Sequence, residues 1–289
     1  FYNGDYPEEY VLSAGDLLIG MDGEFNIARW KVDGALLNQR VCKITAKDNA
    51  DEEFLRFALS KALKAIEERT SFATVKHLSA KELNKLEIAV PSYGEQKNKS
   101  EILRRLERII KLRQNELNSL DNLIKARFVE MFFDKGYPVL PWNDVFNTTT
   151  GKLDSNAMVE NGEYPFFTCA KEVFRIDRYA FDQEALLLAG NNAAGKYDVK
   201  YYKGKFNAYQ RTYVLGLKQN WSYRLFQYQL EDKLEYLQQL SLGGLTKYLT
   251  MKILRELSFI IPPMDKQIEF EQFVKQVDKS KFAELNYAA

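Results

Sequence analysis

The apolar positions of the chain form one long helical pattern near its middle. Residues 95–133 contain no Pro or Gly and are dominated by good helix formers. Within this stretch apolar residues recur at alternating steps of three and four, which is the heptad seam of a coiled coil. The seam consists of Leu103, Leu106, Ile110, Leu117, Leu120, Ile124 and Met131. Gly136 and Pro138 then predict where the helix ends.

We interpret this helix as a spacer arm between two globular bodies. At 1.5 Å per residue it would be roughly 55–60 Å long, which is wider than a small domain. Its apolar stripe needs a partner, and Arg113 and Arg127 interrupt the stripe with stems that can lie along it. The alternative interpretation is one long helix inside a single domain.

On each side of the helix the pattern predicts the same order of strands and helices. The first body is predicted to have strands at 17–19, 27–32 and 39–44, a helix at 51–70, a short helix at 79–86 and a strand at 86–90. The second body is predicted to have strands at 185–189 and 209–215, a polar turn at 191–195, a helix at 223–240, a short helix after Thr250 and a strand at 257–261. The predicted fold class is therefore α+β, with two repeated mixed α/β bodies joined by coiled-coil-like spacer helices.

A constant offset relates the two bodies. Gln39-Arg40 and Gln210-Arg211 are 171 residues apart, since 210 − 39 = 171. The same offset relates Leu59 to Leu230, Leu63 to Leu234, Lys76 to Lys247, Leu78 to Leu249, Leu83 to Leu254, Leu86 to Leu257, Pro91 to Pro262 and Gln96 to Gln267. Leu103 and Leu106 fall on Val274 and Val277, so the start of the spacer helix is repeated too. This pattern indicates a tandem duplication.

The duplication predicts four segments. They are a first body at 1–92, a first spacer helix at 93–135, a second body at 136–262 and a shorter second spacer helix at 263–289. The chain opens on Phe1 without an initiator Met and reads like the middle of a domain, so we expect the first body to be incomplete at its start.

The composition limits which partners, cofactors and cellular compartments are expected for the chain. The net charge is +1, and no apolar run approaches the roughly 18 residues of a membrane span, so no membrane partner is expected. Two cysteines and one histidine cannot form a Cys/His zinc site, and we predict neither a metal nor a cofactor on this chain. The low cysteine count favours the reducing cytoplasm. A neutral chain can still bind DNA if its basic residues lie on one face.

The most basic and aromatic stretch is 196–211, and it is the strongest candidate for DNA contact. Its cations and the nearby amides, which can read adenine in the major groove, are Lys196, Lys200, Lys203, Lys205, Arg211, Asn191, Asn192 and Gln210. The first body offers the thinner set Arg29, Trp30, Lys31 and Arg40. Lys76 and Lys247 each precede a short helix and could contact phosphate. The alternative for residues 196–211 is a solvated hairpin with lysines on its outer face. The alternative for the repeated Gln-Arg pairs is a framework role.

Two enzyme motifs fail on inspection, and no catalytic residue is predicted. Residues 190–196 spell a P-loop, but Tyr197 follows where Mg²⁺ coordination needs Ser or Thr. Residues 90–93 and 261–264 resemble the Asn/Asp-Pro-Pro-aromatic loop of amino-methyltransferases but lack its polar first residue.

The organisation of the chain resembles the specificity (S) subunits of type I restriction-modification systems. The matching pieces are Lys76-His77-Leu78-Ser79 through Ile88-Ala89-Val90-Pro91 to Gln96, and Lys247-Tyr248-Leu249-Thr250 through Phe259-Ile260-Ile261-Pro262 to Gln267. The resemblance covers nearly the whole chain and rests on architecture and repeat.

The resemblance implies a non-catalytic DNA-recognition subunit. Each body would read one half of a split target in double-stranded DNA, and the paired spacer helices would set the distance between the half-sites. The partners would be modification subunits, which hold S-adenosylmethionine, and restriction subunits. A short second spacer could also be completed by a second copy of the chain, making a homodimer. The competing interpretation is a non-enzymatic scaffold in which the heptad helix drives oligomerisation.

Overall fold

The chain divides into two compact units that both mix helices and strands. The computed structural model describes residues 4–69, 77–192, 195–244 and 246–286. The units are Phe1–Asn115 and Glu116–Ala289. The predicted α+β class is confirmed.

A small antiparallel sheet and one amphipathic helix form the first unit. Its elements are β1 (Val11–Leu12), β2 (Leu17–Gly20), β3 (Ile27–Arg29), β4 (Ala35–Leu36), β5 (Val41–Ile44), α1 (Glu52–Arg69), α2 (Ala80–Leu83) and the start of α3 (Tyr93–Phe132). β2 lies between β3 and β5, and β1 pairs with β4. Ile19 packs with Leu63 and Leu78 in a core without water access, which explains the apolar run that β2 begins with.

A six-stranded sheet organises the second unit. Its elements are β6 (Val139–Pro141), α4 (Trp142–Val145), β7 (Phe146–Thr150), β8 (Tyr164–Phe167), β9 (Phe174–Ile176), β10 (Phe181–Ala189), β11 (Asn191–Asn192), β12 (Val199–Ala208), β13 (Thr212–Leu217), α5 (Tyr223–Asp232), α6 (Leu234–Leu240), β14 (Lys247–Tyr248), α7 (Met251–Leu254), β15 (Ser258–Ile260) and α8 (Met264–Asn286). The strand order is β7-β13-β10-β12-β8-β9, and β8 and β12 run parallel while the other neighbours are antiparallel.

The central strand β10 is covered on both faces. Leu186 and Leu188 pack into a cluster that includes Trp142, whereas Ala185 and Leu187 pack on the opposite side of the sheet. A strand buried on both faces has a continuous apolar sequence without alternation. This is why residues 185–189 contain no polar side chain.

The helices of the two units begin at equivalent positions. The starts of α1 and α5 differ by 171 (223 − 52), as do those of α2 and α7 (251 − 80) and of α3 and α8 (264 − 93). The short helices keep the same N-terminal cap: Ser79 Oγ accepts from the Glu82 amide, and Thr250 Oγ1 accepts from the Ile253 amide at 3.4 Å. The predicted duplication therefore extends to the boundaries of the elements.

The end of α3 packs antiparallel against α8 within the second unit. The rings of Phe132 and Phe270 lie 5.5 Å apart, and at the other end Lys281 Nζ lies 2.5 Å from the Asp121 carboxylate. Buried Ile124, Val274 and Val277 lie between these ends, with Leu120 and Met131 partly buried against them. Arg127, one of the two arginines predicted to interrupt the apolar stripe, lies beside this seam and binds Glu269 at 2.6 Å.

The predicted seam is covered along part of its length. At 40 residues α3 is about 60 Å long. Its earlier seam residues lie in the first unit: Leu103 is half-buried, whereas Leu106 and Ile110 are 49% and 68% exposed. Leu117, at the start of the second unit, is half-buried.

Several local predictions were wrong. The helix predicted at 79–86 ends at Leu83, and the strand predicted at 209–215 begins at Thr212. Residues 86–90 pair with no strand in the described part of the chain, whereas the equivalent β15 pairs with β6. The predicted helix at 223–240 is broken at Lys233, whose amide bonds back to the Leu230 carbonyl in a tight turn. The predicted strand at 27–32 ends at Arg29. In the predicted turn at 191–195, Asn191 and Asn192 form strand β11 because β14 lies beside them.

Two isoleucines of the same helix test the extent of this packing. Ile124→Ala should lower the free energy of unfolding by about 2–5 kcal/mol, since Ile124 is 6% exposed and its loss leaves a cavity. Ile110→Ala should change it by less than about 0.5 kcal/mol because that side chain is in water. Urea unfolding at several protein concentrations measures both. A cost for Ile110→Ala that grows with concentration would show instead that another chain covers this position.

Candidate nucleic-acid interface

Several of the predicted DNA-contacting residues meet at one end of the large sheet. The Gly190 amide donates to the Arg211 carbonyl at 2.8 Å, and the Leu249 amide donates to the Gly190 carbonyl at 2.8 Å. Strand β11 then pairs Asn191 with Tyr248 and Asn192 with Lys247. We call this group the second-body corner; its members are Asn191, Asn192, Lys196, Gln210, Arg211, Lys247 and Tyr248.

Three cations of the corner have no acidic partner in the part of the chain that the structure describes. Within the described residues no carboxylate lies in ion-pair range of Lys196, Arg211 or Lys247, and the first two side chains are exposed. Gln210 is exposed as well, and its amide lies 3.5 Å from the Asp154 carboxylate. Cations of this kind, beside the exposed amide of Gln210 and the half-buried amides of Asn191 and Asn192, are the combination that contacts phosphates and base edges in DNA.

The glycines that resemble a P-loop have structural roles here. A Cβ on Gly190 would lie 2.3 Å from the Arg211 carbonyl oxygen, so the backbone geometry at this position requires glycine. Gly195 has a φ of +67°, which glycine adopts without strain. Val199, four residues further on, begins strand β12, so the stretch leads into a strand rather than a helix N-terminus.

Two predicted lysines are held by acids of the same sheet. Lys200 forms an ion pair with Asp198 and donates to the Ala170 carbonyl at 2.9 Å. Lys203 lies towards the opposite end of β10, where its Nζ is 3.2 Å from Glu184. Burial and the hydrogen bond to Glu184 raise the pKa of Tyr201 to about 12, so Tyr201 remains a donor to the same carboxylate. Lys205 lies over the Tyr179 ring at 4.7 Å.

The first unit contains an equivalent corner. The Met21 amide donates to the Arg40 carbonyl at 2.9 Å and the Leu78 amide donates to the Met21 carbonyl at 2.7 Å, which repeats the bonds at Gly190. Asp22 bridges to His77 as Asn191 pairs with Tyr248. We call Asp22, Arg40 and His77 the first-body corner. Its chemistry differs, because a carboxylate stands where the second body has an amide.

In the first-body corner the arginine is neutralised. Asp22 binds the Arg40 guanidinium through one carboxylate oxygen and the His77 Nδ1 through the other, at 2.6 Å. The hydrogen bond from His77 and the charge of Arg40 hold the pKa of Asp22 below its usual value. The corner therefore presents less free positive charge than its counterpart around Arg211.

The other predicted residues of the first body divide between bound and exposed side chains. Arg29 binds Glu52 at 2.9 Å and Glu53 at 2.5 Å, which ties β3 to α1. Trp30 and Lys31 are exposed. Lys76 lies outside the described residues.

Asp22 and His77 were missed by the sequence analysis. Neither residue was given a role there: Asp22 lies between the strands predicted at 17–19 and 27–32, and His77 is the single histidine of the chain. A signal existed, because β2 and β10 are related by a different offset from the strands beside them. Gly20 pairs with Val41 in the first body, and Ala189 pairs with Thr212 in the second. Val41 and Thr212 are 171 residues apart (212 − 41), whereas Gly20 and Ala189 are 169 apart (189 − 20). The two extra residues of the second body hide the equivalence of Asp22 and Asn191 from a search at one offset.

Comparisons with known proteins identify the family. The profile of the type I restriction modification DNA specificity domain matches residues 3–122 and again residues 135–286. The chain therefore belongs to this family and contains two copies of its domain.

Curated relatives carry the same description. The chain is 36% identical over 145 residues to the type I restriction enzyme EcoDI specificity subunit of Escherichia coli, a match that covers 48% of this chain and 31% of that one. It is 45% identical over 98 residues to the EcoBI specificity subunit of the same organism, covering 34% and 21%. The matches thus span less than a third of these relatives' length.

A solved structure shows the same fold. The type I restriction-modification S subunit from M. genitalium has a TM-score of 0.55 at 14% identity, over 95% of this chain and 79% of that one. Within the described residues, no helix is long and apolar enough to cross a bilayer, and no cluster of three or more His, Cys, Asp or Glu side chains is arranged to hold a metal ion.

The first-body corner makes a titration testable. Removing either partner of Asp22, in His77→Ala or Arg40→Ala, should raise the pKa of its carboxyl towards the ordinary value, because each partner favours the ionised form. Carbon-detected NMR of the side-chain carboxyl measures this pKa, and Arg108→Ala on the spacer helix is the matched control. An Asp22 pKa that stays low in both variants would contradict the contacts described.

Proposed function

We propose that the chain is the DNA sequence-recognition subunit of a type I restriction-modification complex. In this proposal each body contacts one half of a split site in double-stranded DNA, and the spacer helices hold the bodies at a set separation. The observation that carries it is the second-body corner, where Lys196, Arg211 and Lys247, with no carboxylate of the described residues in ion-pair range, lie beside the amides of β11. The family assignment supplies the kind of partner that this surface would meet.

The proposed roles follow from the chemistry of the side chains. Arg211 and the two lysines would neutralise phosphates and fix the position of the body on the duplex, whereas Asn191, Asn192 and Gln210 can hydrogen-bond base edges. In the first body Arg40 would contribute less to phosphate binding because Asp22 already balances its charge. The two bodies would therefore bind their half-sites with unequal strength.

The remaining parts of the proposal concern partners. Modification subunits, which would carry S-adenosylmethionine, and restriction subunits would assemble on this chain, which would itself be non-catalytic and work in the cytoplasm. The exposed apolar residues Leu106 and Ile110 on α3 favour a second candidate function, a scaffold that oligomerises through this helix. A homodimer through the same helix is compatible with both functions.

Charge removal at the corner tests the DNA-binding proposal. Arg211→Ala and Lys247→Ala should each weaken binding to a random-sequence duplex and reduce the slope of log affinity against log salt by about one, since each removes one phosphate contact. Fluorescence anisotropy across a salt series measures both quantities.

Lys203→Ala is the matched control for these two variants, since Lys203 lies on the same sheet but is paired with Glu184. Its salt slope should equal that of the unaltered chain. Weak binding that ignores salt, or equal slopes in all variants, would favour the scaffold.

A further inference from the structure

A buried glutamine joins each body to the beginning of its spacer helix. In the first body Gln96 Oε1 accepts from the Asp51 amide at 2.8 Å, and its Nε2 donates to the Pro91 carbonyl at 2.9 Å. In the second body Gln267 Oε1 accepts from the Ser222 amide at 2.9 Å, and its Nε2 donates to the Pro262 carbonyl at 2.8 Å. Both side chains are buried. Leaving such an amide unpaired is costly, so this geometry is strongly specified.

A second bond accompanies each glutamine, with its chemical roles reversed between the bodies. Ser100, on the spacer helix, donates its hydroxyl to Asp51 at 2.7 Å. At the equivalent positions Ser222 donates its hydroxyl to Glu271, on the spacer helix, at 2.6 Å. The pairs match because 51 + 171 = 222 and 100 + 171 = 271. The hydroxyl–carboxylate bond is thus retained although neither position keeps its residue type.

The same residues also cap the helix of each body. The Asp51 carboxylate accepts from the Phe54 amide at 2.9 Å, and the Ser222 hydroxyl accepts from the Leu225 amide at 3.3 Å. Residues 51 and 222 therefore fix where α1 and α5 begin and at the same time bind the spacer helix. We call the three-residue groups Gln96, Asp51, Ser100 and Gln267, Ser222, Glu271 the junction locks.

An ion pair further along the helix gives each body a second attachment. Arg56 binds Glu107 in the first body, and Arg224 binds Asp278 in the second. The two acids are equivalent, since 107 + 171 = 278, whereas the arginines stand one helical turn apart on their helices. The acids lie 107 − 100 = 7 residues beyond the locks, which is about 10 Å along a helix. Two attachments at this separation define an orientation, which a single one would not.

We propose that the junction locks are positioning elements that orient each body on its spacer helix and thereby set how strictly the distance between half-sites is read. This inference rests on the proposed function. Its residues differ from those of the two corners, so loosening a lock should change the geometry of recognition and leave phosphate contacts in place. Ser222 and Glu271 act through orientation and do not touch DNA.

The reversed roles provide the test. Ser222→Asp should place two carboxylates together, and Glu271→Ser should leave two hydroxyls, whereas the double variant recreates the pair found in the first body. The assay compares binding of the full chain to duplexes that carry its preferred split site with the inner spacing unchanged or altered by one base pair. We expect each single variant to lose about tenfold of its preference for the correct spacing, and the double variant to recover it. Binding to random duplex should stay constant.

Controls separate orientation from folding. Glu271→Ala removes the acceptor without adding a charge and serves if Ser222→Asp does not fold; Glu271→Gln keeps an acceptor and should retain the spacing preference. Lys266→Ala breaks an ion pair with Glu269 on the same helix, which involves no lock residue, and should have no effect. Folded variants that keep the full preference would overturn this inference alone. An unaltered chain without any preferred split site would overturn the proposed function and this inference together.

Discussion

A buried side-chain amide at the root of each spacer helix is the interaction on which the architecture depends. Gln96 and Gln267 each accept a hydrogen bond from the backbone amide of a helix-capping residue in the body. Each also donates one to the carbonyl of the proline that precedes the spacer helix. Because an unpaired buried amide costs more than a typical hydrogen bond gains, other angles between body and helix are disfavoured. Each body can then vary its loops without changing how it is attached to its spacer helix. The first-body corner and the second-body corner do differ in their side chains.

The large sheet of the second body positions the second-body corner relative to this fixed attachment. β10 is buried on both faces, and the residue that follows it, Gly190, lies against the Arg211 backbone. The neighbouring short pair β11–β14 adds amides and Lys247 at the same sheet end. The first body builds the same backbone contacts at Met21 but fills them with an ion-paired cluster. One framework thus carries two electrostatic surfaces, which is what reading two different half-sites would require.

Local and repeated features were predictable from sequence, whereas tertiary partners were not. The period of the apolar positions gave α3 to within two residues, and the offset of 171 located α2, α7 and both glutamines. The same pattern could not distinguish covered Ile124 from exposed Ile110, because coverage depends on where α8 lies. Ion pairing could not be predicted either. Lys203 and Arg211 are both cations of the basic stretch 196–211, but of the two only Lys203 lies beside Glu184. The break at Lys233, where the backbone amide bonds back to the Leu230 carbonyl, carries no Gly or Pro signal.

The most direct test of the central claim is selection of bound duplexes from a random-sequence library by the full chain, repeated at two salt concentrations. The account predicts enrichment of a motif in two parts separated by a fixed number of unspecified base pairs, with total binding that falls steeply as salt rises. A single uninterrupted motif, or no enrichment together with binding insensitive to salt, would contradict it.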